Sequence, residues 1–455
     1  MKKATLSLCM IVKNEERYLS DCLKSVKDVV DQIVIVDTGS SDQTVDIAKE
    51  YEAEIYHFPW CGDFSAARNE SLKYATCDWI MWMDADERLA PESTEHLLRI
   101  LASEELPVVY KVNIHSVWKD KTTIQLSSAH RIFNNNKGIY FSGKIHEQIT
   151  RSASAVSAEE RDSNIVIHHL GYGSSPESTK RKHKRNRKLL EQMVTESPDS
   201  AYAHYTLAQH YSMTEEHRKA LVHYEKAYTL KQFDNSMTAS LLNTMAESHV
   251  KLGNYDIAQE FCKISLTMIP RQVGGYYLLY EIANKQNNYK GAITWLEKLQ
   301  VQNKEVKLSE KRISTDILID EDRILYTLGL LYLKSGNTDK AIYYYERVYQ
   351  NKNDHIELLE EMVNIYTQTK NFEKAEKILK KLAQNDTKKI IYQDLLGIVL
   401  IKQKKFKDAI AVYESVLRKE GTNNLILKKL VGLYGKIGNM NKARQLLRLG
   451  AISIQ

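Results

Sequence analysis

The sequence predicts an α/β domain followed by an all-α solenoid, and three observations carry that prediction. Up to about residue 180, short apolar runs alternate with amphipathic helical stretches, the order of parallel strands and crossover helices. Beyond residue 200 a small residue recurs, in its last four occurrences at a spacing of 34. Composition divides the chain at the same place: of 6 prolines only Pro270 lies beyond residue 199, whereas 20 of the 27 tyrosines do. With 455 residues, 43% hydrophobic, 27% charged and 9% aromatic, the chain has material for more than one core and is neither disordered nor fibrous.

In the first half the expected strands and helices are Thr5–Val12 with Glu15–Val29, Gln32–Val36 with Asp42–Tyr51, Glu54–Phe58 with Phe64–Ala75, and a fourth strand at Trp79–Met83. Such sheets bind ligands at the carboxyl ends of their strands. Polar residues stand there: Lys13-Asn14-Glu15, then Asp37 to Asp42, then Asp84-Ala85-Asp86-Glu87. In a strand, positions i and i+2 point the same way, so Asp84 and Asp86 can converge on one hard cation, Mg²⁺ or Mn²⁺, beside substrate phosphates. An isolated Asp-x-Asp is more often a solvated turn, but the apolar run from Trp79 to Met83 and the two earlier acidic strand ends favour the cation. Asp37 is placed to accept hydrogen bonds from a base or ribose, while Asp42 reads as a helix cap. The chain has no G-x-G-x-x-G or G-x-x-x-x-G-K-[ST] signature, which argues against a dinucleotide oxidoreductase or a P-loop NTPase.

In the second half Ala220, Ala258, Ala292, Ala341, Ala375, Ala409 and Ala443 each open an apolar helical stripe. Four places on stand Tyr224, Cys262, Leu296, Tyr345, Leu379, Tyr413 and Leu447; nine places ahead of four of the alanines stand Tyr211, Tyr332, Tyr366 and Tyr434. Period, small contact residue and aromatic knobs together resemble the tetratricopeptide repeat, with about seven units and an irregular insertion near 301–321. The tyrosines then serve packing between repeats, and the concave surface of a solenoid suits a peptide or a second copy of the chain, hence a homodimer through the repeats. Between the halves, Lys180 to Lys188 carries seven basic residues in nine, read as a solvated linker helix with Lys184 or Arg187 able to face a diphosphate. The expected domains are therefore 1–178, a linker at 179–200, and repeats at 201–455.

Bulk properties mostly exclude. A net charge of +6 with 58 acidic residues speaks against a nucleic-acid partner. Five cysteines without a Cys-x-x-Cys pair suit a reducing compartment. The start Met1-Lys2-Lys3 before an apolar run imitates a secretion signal but lacks a cleavage site, and no run reaches the roughly 20 apolar residues of a membrane span. The expectation is a cytoplasmic protein without an integral membrane segment.

Leu8 to Glu15, Ile35 to Thr44, Trp60 with Asp63-Phe64-Ser65-Ala66-Ala67-Arg68-Asn69, Asp78-Trp79 and Met83 to Glu87 resemble the family 2 glycosyltransferases over about residues 4–180. That family has the GT-A fold and uses nucleotide sugars. Within it the chain is similar to members with C-terminal tetratricopeptide repeats, including the sublancin-type peptide S-glycosyltransferases, which attach a hexose to a cysteine of a bacteriocin precursor. The resemblance implies that Asp37 binds uridine and that Asp84 and Asp86 hold the metal and diphosphate. It further implies nucleotide contacts at Val12, Asn14, Glu15 and Ala85, with Arg68 near the nucleotide or its phosphates; a surface salt bridge is the plainer alternative for Arg68.

Gly143-Lys144-Ile145-His146-Glu147 resembles a Gly-x-Val-His-Glu stretch of this subgroup. Inversion at an anomeric carbon needs a base opposite the leaving diphosphate, and Glu147 suits it, with His146 positioning the acceptor. His168-His169-Leu170-Gly171-Tyr172 resembles the segment closing the catalytic domain, which makes His169 a third metal ligand. The expected function is metal-dependent (Mn²⁺ or Mg²⁺), inverting transfer of a hexose from a UDP-sugar to a Ser, Thr or Cys side chain of a peptide or protein. The alternatives are an envelope-glycan or lipid-linked-sugar transferase, and a repeat scaffold with an inactive transferase domain.

Overall fold

The apolar runs of the first half become the middle of one nine-stranded mixed sheet in the computed structural model, which describes residues 4–101, 107–118, 120–170, 176–308, 315–352, 354–385, 389–420 and 423–452. The elements begin β1 (Leu6–Val12), α1 (Leu19–Val26), β2 (Gln32–Asp37), α2 (Thr44–Glu50), β3 (Glu54–His57), α3 (Phe64–Leu72) and β4 (Trp79–Trp82). They continue with β5 (Glu87–Leu89), α4 (Thr94–Leu101), β6 (Val108–Val117), β7 (Thr123–Asn134), α5 (Thr150–Ala155) and β8 (Glu159–His169). The strand order is β3-β2-β1-β4-β7-β6-β8-β5. β3, β2, β1 and β4 run parallel, as their alternation with helices requires. From β7 onward the sheet is mixed, with β7 antiparallel to β4 and β6 and β8 parallel to β6, a part that the spacing of apolar runs did not reveal.

Alternation along β1 explains why both faces are covered. Leu6, Leu8, Met10 and Val12 enter a core with Leu19, Cys22, Leu23 and Val26 of α1, while Cys9 joins Val34, Ile80 and Trp82 in a core on the other face. The carboxyl ends of the parallel strands are thereby left as the rim where polar loops gather.

The second half consists of helix–turn–helix pairs after α6 (Pro176–Glu196). In the first compact unit, residues 1–320, they are α7 (Ala201–Met213) with α8 (His217–Thr229), α9 (Asn235–Lys251) with α10 (Tyr255–Met268), and α11 (Gly274–Lys285) with α12 (Tyr289–Leu308). In the second unit, residues 321–455, they are α13 (Glu321–Lys334) with α14 (Thr338–Asn351), α15 (Ile356–Gln368) with α16 (Phe372–Asn385), α17 (Lys389–Lys402) with α18 (Phe406–Glu420), and α19 (Asn424–Lys436) with α20 (Met440–Ile452). All seven repeating alanines are buried on the second helix of their pair, where a larger side chain would force the helices apart. Tyr345 packs so close to Gly329, and Tyr413 to Gly397, that a Cβ at either glycine would overlap the ring.

Two differences from the sequence-based boundaries have physical causes. The insertion near 301–321 is not irregular throughout: α12 runs to Leu308, and β9 (Thr315–Ile319) pairs antiparallel with β7, held by two 2.8 Å hydrogen bonds between the Asn303 side chain and the Ile319 backbone. A segment from the repeats thus adds a strand to the α/β sheet, so the compact units divide after Asp320 and not near residue 178. The segment expected as a linker is also more than a link. Leu189 and Leu190 of α6 share a core with Ala201, Tyr205 and Tyr224 of the first pair, and with Ile145 of the α/β domain.

Candidate active site

Asn14 follows β1 with φ 56°, a left-handed turn that asparagine tolerates, and this knits the first two polar loops together. Its N–H donates to Ser40 Oγ (3.0 Å), and its Oδ1 accepts from Ser41 N–H (2.8 Å). Glu15 N–H donates to Thr44 Oγ1 (2.7 Å), and Asp42, expected as a cap, accepts from the N–H of Thr44 (3.0 Å) at the start of α2. Burial pushes the Glu15 carboxyl up to about 7, against the opposing charge of Lys182.

α3 begins at the cap Asp63, which accepts from Ala66 N–H (3.1 Å), and it aims Arg68 at the strand ends. Arg68 is only 5% exposed. It donates through Nη2 to Asp84 (2.7 Å) and through Nε to Glu147 Oε1, and its guanidinium carbon lies 4.0 Å from the centre of the Trp82 ring. Its Nη1 is a buried donor without a protein partner. Next to Arg68 on α3, Asn69 exchanges two hydrogen bonds with the backbone of Phe141 (2.9 and 2.8 Å), tying the helix to the segment that leads into Gly143–Glu147. That segment is a tight loop closed by reciprocal backbone bonds between Ser142 and Gln148 (2.9 and 3.0 Å). Gly143 at φ 102° permits the reversal, and His146 at φ 51° turns its side chain into the cleft. The protein walls around His146 lower its pKa, with the Glu147 charge opposing.

The two aspartates stand in the turn between β4 and β5, not on a strand, and so they meet different partners. Asp84 exposes 42% of its side chain to the cleft. Desolvation by the cleft walls opposes its ionisation, but Arg68 and Arg131 outweigh this and hold it at about 2. Asp86 Oδ2 lies 3.3 Å from His169 Nε2. The pairing of β5 with β8 sets this contact by placing His169 opposite Glu87, and Ser116 Oγ, 3.1 Å from Nδ1, fixes the ring. The hydrogen bond to Asp86 raises the His169 pKa. His168 pairs in register with Arg88 and its ring lies 5.8 Å from that of His115; Gly171 and Tyr172 of the same motif lie outside the described residues. Among the described residues no group of three or more His, Cys, Asp or Glu side chains is arranged to hold a metal. Asp86 and His169 are the carboxylate and imidazole that a divalent ion would use here.

One cleft of about 1270 Å³ collects Val12, Asn14, Glu15, Arg68, Asp84, Ala85, Asp86, His146, Glu147 and His169. Asp37 is not among its lining. It is 3% exposed, and its carboxylate accepts from the N–H groups of Gly39 (3.1 Å) and Ser40 (3.1 Å), so it organises the loop instead of facing the cleft. Arg68 does line the cleft, buried and not in a surface salt bridge, and its charge meets two carboxylates and an aromatic face. On α6 the cleft is faced by Lys182, Arg185 and Asn186; Arg187, one of the two expected to face a diphosphate, turns to Glu191 (2.8 Å) and Glu216 (3.0 Å).

Sequence reasoning missed Trp82 and Arg131. Arg131 lies 3.6 Å from the Trp82 ring centre and pairs with the buried Glu87 at 2.6 Å. The signal was an arginine just before the apolar end of β7, Ile132-Phe133, where a buried charge needs a partner. Tyr202 and Gln209 of α7, which also line the cleft, had no such signal because they sit among helical tyrosines.

Residues 7–156 match the glycosyl transferase family 2 model, and residues 332–398 match the tetratricopeptide repeat. A TPR repeat-containing protein of Synechococcus elongatus is 37% identical over 208 residues, covering 44% of this chain and 50% of that one. The SPbeta prophage-derived glycosyltransferase SunS of Bacillus subtilis is 32% identical over 198 residues, 43% of this chain and 46% of that one. The chain thus spans about half the length of the curated relatives it matches. Among solved structures, the C-terminal part of a TPR repeat-containing protein from Cytophaga hutchinsonii aligns with a TM-score of 0.42 at 14% identity, over 55% of this chain and 96% of that one.

Proposed function

We propose that this chain, a family 2 glycosyltransferase domain followed by tetratricopeptide repeats, transfers a hexose from a UDP-sugar to a Ser, Thr or Cys side chain of a peptide with inversion at the anomeric carbon. The observation that carries the reading is the convergence of Asp84, Asp86, His169, Arg68 and Glu147 on one cleft at the strand ends of the matched domain. Asp86 and His169 would hold the divalent ion, which when bound neutralises charge on the departing diphosphate. Arg68 keeps Asp84 and Glu147 in register, and its open Nη1 offers a donor to an oxyanion. One oxygen of Glu147, Oε1, meets Arg68; the other would take the proton from the acceptor as its oxygen or sulfur bonds to the anomeric carbon and the bond to the β-phosphate oxygen breaks. Asp37 acts on the donor indirectly, through the Gly39–Ser40 loop that it holds.

A peptide acceptor is supported by the size of the cleft, about 1270 Å³ where small-ligand pockets have roughly 300–1,000 Å³. It is also supported by the resemblance to sublancin-type enzymes. Among the described residues no helix is long and apolar enough to cross a membrane. The test is mass spectrometry of a panel of Ser-, Thr- and Cys-containing peptides incubated with UDP-sugars and Mn²⁺. A hexose increment with the wild type and none with Asp86→Ala is expected. Full transfer by Asp86→Ala would remove Asp86 from the metal site, and failure of every UDP-sugar even to hydrolyse would remove the donor class.

A further inference from the structure

The segment that matches the transferase family ends at residue 156, but the cleft does not. Its remaining wall comes from α6 and α7. Lys182, Arg185 and Asn186 follow one another at i, i+3 and i+4, which places them on a single face of α6, and all three line the cleft that holds Asp84 and Asp86.

The charge balance of the cleft gives that face a task. Its α/β wall carries Glu15, Glu16, Asp42, Asp84, Asp86 and Glu147, and a nucleoside diphosphate brings more negative charge. The same wall carries the cations Lys13, Arg17, Arg68 and Lys111, of which Arg68 meets Asp84 and Glu147, and Lys111 meets Glu160 at 2.8 Å. On α6, Arg185 donates to Asn186 Oδ1 through Nε (3.1 Å) and Nη2 (3.0 Å). Arg185 lies over the rings of Phe64 and Trp60, at 5.0 and 5.7 Å from their centres, so its charge is held beside the start of α3. Lys182 stands one turn earlier, about 5 Å along the helix axis, a spacing that the two phosphates of a diphosphate can bridge. Its influence is felt by Glu15 at the end of β1.

We infer that Lys182 and Arg185 bind the diphosphate of the donor, so that a helix outside the family-matched segment completes the donor site. The inference rests on the UDP-sugar reading above. It also gives the first helix after the α/β domain a reason to carry seven basic residues in nine, of which only one face is used.

The experiment is isothermal titration of the full chain with UDP, UMP and uridine in buffer containing Mn²⁺. Lys182→Ala and Arg185→Ala should each weaken UDP roughly tenfold, the loss of one charge-assisted contact, and leave uridine unchanged. Lys182→Arg should restore most of the preference for UDP over uridine. Lys184→Ala, on the same helix, should bind all three ligands as the wild type does. Equal losses for UDP and uridine, or a Lys184→Ala loss as large as that of Lys182→Ala, would overturn the inference by making the effect structural or a matter of general charge. UDP binding at wild-type strength in both alanine variants would overturn it while leaving the donor reading intact; a wild type that binds no UDP would end both.

Discussion

The repeats of the second unit and the cleft of the first use the same polar residue types, but in one they recur and in the other they occur once. In the second unit the Tyr366 hydroxyl donates to Glu346 (2.7 Å) and that of Tyr434 to Glu414 (2.6 Å), each pair 20 residues apart. A contact that returns with the repeat is set by the repeat's geometry and needs no further explanation. At the cleft, Arg68 with Asp84 and Glu147, and behind Trp82 of its lining Arg131 with Glu87, have no counterpart one repeat away. Burying such charges costs several kcal/mol of hydration that a well-packed apolar core would not lose. The difference teaches where to look for chemistry: periodic polar contacts mark packing, and buried charges that converge on one cleft mark the site.

The strongest test of this contrast is Arg68→Met. It leaves Asp84 and Glu147 without their shared cation, so we expect a loss of about 3 kcal/mol in stability and donor turnover reduced by orders of magnitude. All five tryptophans precede residue 321, so tryptophan fluorescence in urea follows the first unit alone. Glu346→Gln, its periodic counterpart, should cost under about 1 kcal/mol by circular dichroism and leave turnover unchanged. An Arg68→Met enzyme with wild-type turnover would break the comparison.

A smaller effect separates two glutamates by the sign of their pH dependence. Burial raises Glu15 from 4.5 to about 7, so ionising it in the folded state costs stability, absent below pH 4.5 and fully felt above about pH 7. Partial burial also opposes ionisation of Glu376, but Lys380, Lys405 and Gln403 outweigh it and hold the group at about 2. Its contribution is therefore present above pH 4.5 and lost as pH falls through 2. In metal-free protein at pH 8, Glu15→Gln should be more stable than the wild type and Glu376→Gln less stable, each by about 1 kcal/mol. Melting curves at pH 4 and pH 8 check both, and Glu15→Gln should lose its advantage at pH 4.

How much of this was legible follows from the same contrast. The parallel strands were readable because apolar runs alternate with helices, and the repeats because Ala341, Ala375, Ala409 and Ala443 are 34 apart. The mixed half of the sheet was not, since β6 and β7 are a long antiparallel pair with no helix between them and only the short α5 stands before β8. Among site residues, Asp84, Asp86 and Glu147 were legible as carboxylates in loops after apolar or glycine-marked segments. The partners they meet were not, because Arg68 reaches Glu147 across 79 residues and no local spacing encodes that contact. Asp37 shows what spacing leaves open: a carboxylate at a strand end can serve a ligand or its own loop, and the bonds it accepts from the N–H groups of Gly39 and Ser40 appear only in the fold.

The smallest effect concerns α6, which joins the two kinds of region. The Tyr211 hydroxyl donates to Glu191 of α6 at 3.0 Å, again 20 residues apart, which is the relation of Tyr366 to Glu346 and of Tyr434 to Glu414. By that measure α6 stands where the second helix of a preceding repeat would stand, and one face of it turns to the cleft. Tyr211→Phe should then cost what Tyr366→Phe costs, about 0.5–1.5 kcal/mol for one hydrogen bond, with UDP binding unaffected. Fluorescence in urea measures the first and circular dichroism the second. If Tyr211→Phe alone weakened UDP binding, the periodic contact and the site would not be separable at α6, and repetition would lose its value as a sign of packing at the helix where the two meet.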